Sequence, residues 1–216
     1  MRILIATTLG LRRHVLKRSQ SIDPRKRPTQ ARSEYTYDVI LQASLDLLAR
    51  GGLEGFTTNA VAKRAGVSVG SLYQYFPNKD AILATLVREL RISLRDDFQR
   101  AVTNTLGLAF EASVVALIEA SLSHHLDNPD LTALLEKVED ELPMDAETQA
   151  LKAEMSGLVS ALLRDHGIPD AERTAFDLIA LSHGIAHAAT QAGQDDFEDL
   201  SKRVQRAVFG YLGVPA

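Results

Sequence analysis

The chain has 216 residues, 45% of them hydrophobic and 24% charged, enough apolar material for one packed domain or two small ones. Cys is absent, which excludes disulfides, thiol nucleophiles and cysteine-ligated clusters; Trp is absent as well. The net charge of −4 hides an asymmetry: residues 1–95 carry 16 Lys+Arg against 7 Asp+Glu, and residues 96–216 carry 8 against 21. A basic first part suits a polyanion, and an acidic remainder does not. No apolar run approaches ~18 residues, so no membrane-spanning helix is expected.

Residues 1–32 read as a basic extension. A short apolar run precedes Arg12, Arg13, Lys17 and Arg18, the reverse of a secretory signal, and is compatible with a short amphipathic helix. A Pro-containing polar stretch then carries Arg25, Lys26, Arg27 and Arg32. These could lie near a nucleic-acid backbone or form a tail with no contact. A regulatory extension and a misassigned start codon are both open at this point.

The remainder reads as helices throughout. Val39, Ile40, Ala43, Leu47 and Leu48 recur at helical spacing, and Gly51-Gly52 ends that helix. Thr57 or Thr58 caps the next, whose apolar positions are Val61, Ala62 and Ala65. Gly66-Val67 forms a tight turn, and Ser68 caps a short helix running to about Phe76 with Leu72 and Phe76 facing inward. Pro77-Asn78 starts another helix from Lys79 to about residue 98, with Ile82, Leu86, Leu90 and Leu94 as its stripe. Further helices are expected over 104–126, 130–141, 145–166, 170–191 and 196–212, with Pro129, Pro143 and Pro169 at the breaks. The fold class is all-α.

Two short helices joined by a glycine-containing turn can set the second in the DNA major groove. Val69, Gly70, Ser71, Gln74 and Tyr75 are read as the outward positions of that second helix, with no charge to repel phosphate. Gln74 has the chemistry to pair with an adenine edge, and Val69 can meet a thymine methyl. Tyr73 and Lys79 have phosphate-binding chemistry.

The string FTTNAVAKRAGVSVGSLYQYFPNKDAIL resembles the DNA-binding domain of the TetR family of bacterial transcriptional regulators, most strongly over Phe56–Leu83. The resemblance implies a three-helix helix-turn-helix head over residues 33–80 and a helical ligand-binding and dimerisation body over 81–216. It implies a cytoplasmic homodimer, on the nucleoid when bound, that binds double-stranded DNA at a palindromic operator. It further implies a repressor released by a small-molecule effector. Carried over by position, Thr58, Tyr73 and Lys79 fall on phosphate contacts with Ser68 capping nearby. Asn59, Val69, Gly70, Ser71, Gln74 and Tyr75 fall on base-reading positions.

In the body, Phe98, Leu106, Phe110, Leu117, Leu158, Leu162, Phe176, Ile179 and His183 are candidates to line an apolar cavity or simply to fill a core. His183 and Arg173 are the chief charges expected near it, which favours an apolar or mildly polar effector. The nearly all-apolar stretch Ala175–Ala189 suits a helix covered on both faces. Together with the last helix, the resemblance makes it a four-helix dimer interface. Leu178, Leu181, Ile185, Val204, Val208, Phe209 and Leu212 are the interface candidates, and small Ala186, Ala188 and Ala189 permit close approach.

His183 and His187 stand four apart, a spacing that can ligate metal, and His124-His125 could join them only through the fold. Interface or pocket histidines are the preferred reading. Asp127, Asp130, Glu136, Glu139, Asp140 and Glu141 read as a solvated acidic face. No metal site, cofactor or catalytic set is expected; Ser182-His183 lie ~100° apart around a helix.

Overall fold

A computed structural model describes residues 21–25, 31–126, 129–194 and 196–213, without the side chains of 31, 32, 124, 125 and 145. The basic positions Arg12, Arg13, Lys17, Arg18, Lys26, Arg27 and Arg32, the pair His124-His125 and Asp127 therefore lie outside what is described. Among the described residues there are nine helices and no strand. No described helix is long and apolar enough to cross a membrane.

The first three helices form the head. Helix α1 (Ala31–Gly51) packs on α2 (Thr58–Ala65), and α2 on α3 (Val69–Tyr75). Thr57 caps α2 by accepting the Ala60 N–H at 3.1 Å. Gly66 ends it at φ 68°, a left-handed conformation that glycine adopts without a Cβ penalty. Ser68 caps α3 by accepting the Ser71 N–H at 3.0 Å. Asp46 of α1 pairs with Arg64 of α2 at 2.5 Å and with its neighbour Arg50 at 2.9 Å. Hydrogen bonds from Arg64 and then Arg50 hold the Asp46 carboxyl below its ordinary pKa.

Helix α4 (Lys79–Asn104), capped by the Asn78 side chain, runs six residues past the expected end at 98. Ala101 and Val102 continue its apolar face against the body core, and the helix stops only before Gly107, at φ 78°. Consequently α5 (Phe110–Leu126) begins six residues later than expected. The remaining helices are α6 (Pro129–Glu141), α7 (Asp145–Asp165), α8 (Ala171–Gln191) and α9 (Phe197–Leu212).

Two apolar cores result. One joins α1–α3 to the first turns of α4, where Ala81 through Val87 are all buried, and it includes Leu135 and Val138 of α6. The other joins Phe98 of α4 to α5, α7, α8 and α9. Thus α4 belongs to both cores, and α6 lies against the head.

Candidate functional site

On the head, Asn59, Ser68, Val69, Gly70, Tyr73, Gln74 and Lys79 are exposed, while Thr58 and Ser71 are half-buried. The Tyr73 and Thr58 hydroxyls lie 3.1 Å apart, bridging α3 and α2. Each retains hydrogen-bonding capacity beyond that contact. Ser68 and Ser71 hydroxyls meet at 2.8 Å beside the α3 N-terminus. The exposed positions therefore offer uncharged donors and acceptors with a single lysine at the start of α4, suited to base edges and phosphates.

Tyr75 departs from the sequence reading. It is 8% exposed and meets Tyr37 of α1 edge-on, with ring centroids 6.1 Å apart. At 100° per residue, positions 72, 75 and 76 share one face of α3, and that face is the core. Tyr75 is thus a packing residue and not a base-reading side chain.

In the body, a cavity of about 590 Å³ lies between α4, α5, α6, α7 and α8. Of the candidate lining residues, Phe98, Leu117, Leu162, Phe176, Ile179 and His183 border it. Leu106, Phe110 and Leu158 do not. Leu106 sits in the α4–α5 connection, 73% exposed, because α4 ends and α5 begins six residues later than expected and the connection falls on 105–109. Phe110 instead packs its ring on His166, centroids 4.9 Å apart, and Leu158 is turned into the surrounding packing.

The polar lining also differs from the sequence expectation. Arg173 does not border the cavity; Arg91, Thr132, Glu136, Thr148 and Lys152 do, with His183. Arg91 of α4 donates twice to Glu139 of α6, at 3.1 and 2.5 Å, and Thr148 of α7 donates to the same carboxylate at 2.6 Å. Glu139 is therefore a buried clasp between three helices, not part of a solvated face. Burial pushes its pKa up, but the hydrogen bonds from Arg91 and Thr148 outweigh this and leave it below the ordinary value. Glu136, expected on that same face, approaches His183 at 3.5 Å with only 17% of its side chain exposed. The signal is relational: Arg91 is a polar residue on α4, and its acidic partner Glu139 lies 48 residues away.

The surface of α8 corrects the interface candidates. Leu178, Val204, Val208 and Phe209 are buried in the protomer's own core, as are Ala186 and Ala189. Leu181, Ile185 and Leu212 are half-buried. The exposed stripe is Phe176, Ala180, Gly184 and Ala188, with His183 and His187 stacked beside it, 6.0 Å between centroids. Among the described residues no group of three or more His, Asp or Glu is placed to hold a metal ion.

Two family models match the chain: the bacterial regulatory proteins of the tetR family over residues 40–86, and the tetracyclin repressor-like C-terminal domain over residues 109–212. The chain belongs to the TetR family. Family members are transcriptional regulators, not enzymes, and bind DNA through the helix-turn-helix. The HTH-type transcriptional regulator BetI of Escherichia coli K12 is 26% identical over 164 residues, 72% of this chain and 82% of that protein. A Rhodococcus sp. RHA1 protein of unknown function shares 22% identity at a TM-score of 0.70, covering 84% of this chain and 96% of its own. The fatty acid degradation regulator FadR of Bacillus halodurans shares 18% at 0.62, covering 85% and 97%. SmeT, solved as a triclosan complex, shares 18% at 0.62, covering 81% and 90%. These structural likenesses are likenesses of fold.

Proposed function

We propose that this TetR-family regulator is a homodimeric repressor whose heads, residues 33–80, bind the half-sites of a palindromic operator. A small molecule in the body, residues 81–216, releases it. The observation that carries the switch is that α4 and α6 each border the cavity and each pack into the head core. A molecule that changes their relative position moves the head directly. In support, the related fold of SmeT is known as a triclosan complex.

Operator reading falls to Asn59, Val69, Gly70, Ser71 and Gln74, and phosphate contact to Thr58, Tyr73 and Lys79, with Ser68 capping α3. A second copy of the chain covers the exposed stripe of α8 and the accompanying face of α9. An apolar patch carrying a phenylalanine at 68% exposure is otherwise costly in water. The effector is amphipathic: the walls at Phe98, Leu117 and Leu162 are apolar, while Arg91, Glu136, Lys152 and His183 can hold a polar group. By linkage, the operator must weaken effector binding by the factor with which the effector weakens operator binding. The test is a thermal-shift screen followed by anisotropy titration of DNA from upstream of the chain's own gene. Hits that stabilise the protein and release the DNA support the reading. Hits that stabilise it with unchanged DNA affinity refute the switch.

A further inference from the structure

The segment Ser21–Arg25 lies before the head matched by the family model, yet it is built into the head. The Asn78 side chain donates to the Ser21 carbonyl at 3.1 Å. Arg88 donates to the Ile22 carbonyl at 3.1 Å and to the Asp23 carboxylate at 3.0 Å. The Ile22 side chain packs against the head core. Finally, the Arg25 N–H donates to the Tyr75 carbonyl at 2.7 Å, and its guanidinium donates to the Tyr73 carbonyl at 3.3 Å.

The last two bonds fall where α3 needs them. A seven-residue helix has more unpaired terminal groups than internal bonds, and its last four carbonyls lack partners within it. Its own last turn contains no basic residue. The Phe76 N–H bonds back to Leu72, which leaves the Tyr73, Gln74 and Tyr75 carbonyls without a partner in that turn. Arg25 meets two of them, Tyr73 and Tyr75, and brings positive charge to the negative end of the helix.

We propose that Ser21–Arg25 is a strap that caps the recognition helix from outside, with Arg25 a positioning residue for operator reading. The strap also reaches the body. The Arg88 guanidinium that holds Ile22 and Asp23 donates to both carboxylate oxygens of Glu147 on α7, at 2.5 and 2.7 Å. One side chain thereby links the cap of α3 to a cavity-bordering helix of the body. This rests on the reading of α3 as the DNA-contacting helix, but the capping itself is testable without DNA.

Hydrogen–deuterium exchange on the free full-length protein is the first arm, comparing wild type, Arg25→Ala and the double variant Ile22→Asp/Arg25→Ala. The expected result is exchange over residues 69–76 faster by roughly fivefold to tenfold, the scale of one or two lost capping bonds, with α1 unchanged. Unchanged α3 exchange in the double variant overturns the proposal. The second arm titrates a duplex selected from a random library by the wild-type protein, and a scrambled duplex, across salt. Positioning predicts that Arg25→Ala lowers the preference for the selected duplex about fivefold at an unchanged log–log salt slope, and that Arg25→Gln, which keeps a donor, restores part of it. An equal loss on both duplexes with a slope lower by about 1 makes Arg25 a phosphate ligand and overturns the positioning role. If α3 exchange responds while no duplex is selected at all, the cap stands and the DNA reading of α3 falls.

Discussion

Glu139→Ala removes the centre of the clasp that holds α4, α6 and α7 together. The Glu139 side chain is 7% exposed and Arg91 16%, so the deletion leaves a guanidinium with little water to replace its partner. Breaking a buried pair in this way costs about 3–5 kcal/mol. Here the cavity gives Arg91 a direction in which to turn and find solvent, which lowers the expectation to about 2–3 kcal/mol. At ~2–4 °C per kcal/mol for a chain of this size, the melting temperature should fall by roughly 5–10 °C. Glu139→Gln keeps one oxygen to accept from Arg91 and can turn its amide N–H to donate to the Thr148 hydroxyl, and should cost about 1 kcal/mol. The pH dependence has a definite sign. The folded-state pKa of Glu139 lies below its unfolded value, so its contribution is complete above about 4.3 and is lost as pH falls through the folded value. Urea unfolding at fixed protein concentration should therefore show the wild-type advantage over Glu139→Gln shrinking below about pH 4.3 and constant from pH 6 to 8. A Glu139→Ala cost under ~0.5 kcal/mol, or an advantage over Gln that persists undiminished at pH 3, would refute the buried-clasp account.

Three further outcomes are expected. Tyr75→Ala should destabilise the protein by ~3 kcal/mol or more in chemical denaturation, because it empties a site in the head core, whereas Tyr73→Phe should leave stability nearly unchanged and weaken DNA binding. Lys79→Ala should weaken all duplexes alike and lower the log–log salt slope by about 1, while Gln74→Ala should shift base preference at one position per half-site, at ~1–3 kcal/mol, in a selection experiment. A Cβ at Gly184 would meet no atom within 4 Å in the protomer and the position is exposed, so with Gly184→Glu the fold should persist by circular dichroism while sedimentation shows monomers and operator affinity drops. A charge at Val208, 2% exposed, should instead unfold the protomer and would report nothing about dimerisation.

What the sequence made legible follows from the range of the forces involved. Helix starts at Thr57, Ser68 and Asn78 are local hydrogen-bonding events, so they could be read from a few adjacent residues. The end of α4 could not, because Ala101 and Val102 are held helical by packing against a core assembled from α5 and α7–α9. Tyr75 was misplaced because a two-turn helix has no wide polar face, and a single 100° step separates its inner from its outer positions. The interface residues were misread for a related reason. Apolarity all round α8 shows that both faces are covered, but not which face meets the protomer and which is left for a partner. The cavity's charged lining depended on Arg91 finding Glu139 across 48 residues of chain, information that no periodicity contains.

The geometry of α4 shows why small motions in the body suffice for the proposed release. From Phe98, buried in the body core, to Lys79 at the head is about 28 Å of helix at ~1.5 Å per residue. A tilt of about 5° about Phe98 then moves the head by roughly 2.5 Å, and two heads moving apart change their separation by roughly twice that. Half-sites one turn of DNA apart demand a separation of about 34–36 Å, and hydrogen bonds to base edges tolerate only a few tenths of an ångström. The head need not deform, because Ala81 through Val87 are buried in its core and carry it as a body. What resists the tilt, beside apolar packing, is a set of ties from α4 to its neighbours, Arg91 to Glu139 on α6 and Arg88 to Glu147 and Arg95 to Glu154 on α7. Arg91 borders the cavity, so an effector with a carboxylate or other acceptor there competes with Glu139 for the same guanidinium. Loosening that tie frees α4 relative to α6 at the point where both enter the head core. On the proposed reading, the polar residues of the lining, more than its apolar walls, are therefore where effector binding would be converted into movement.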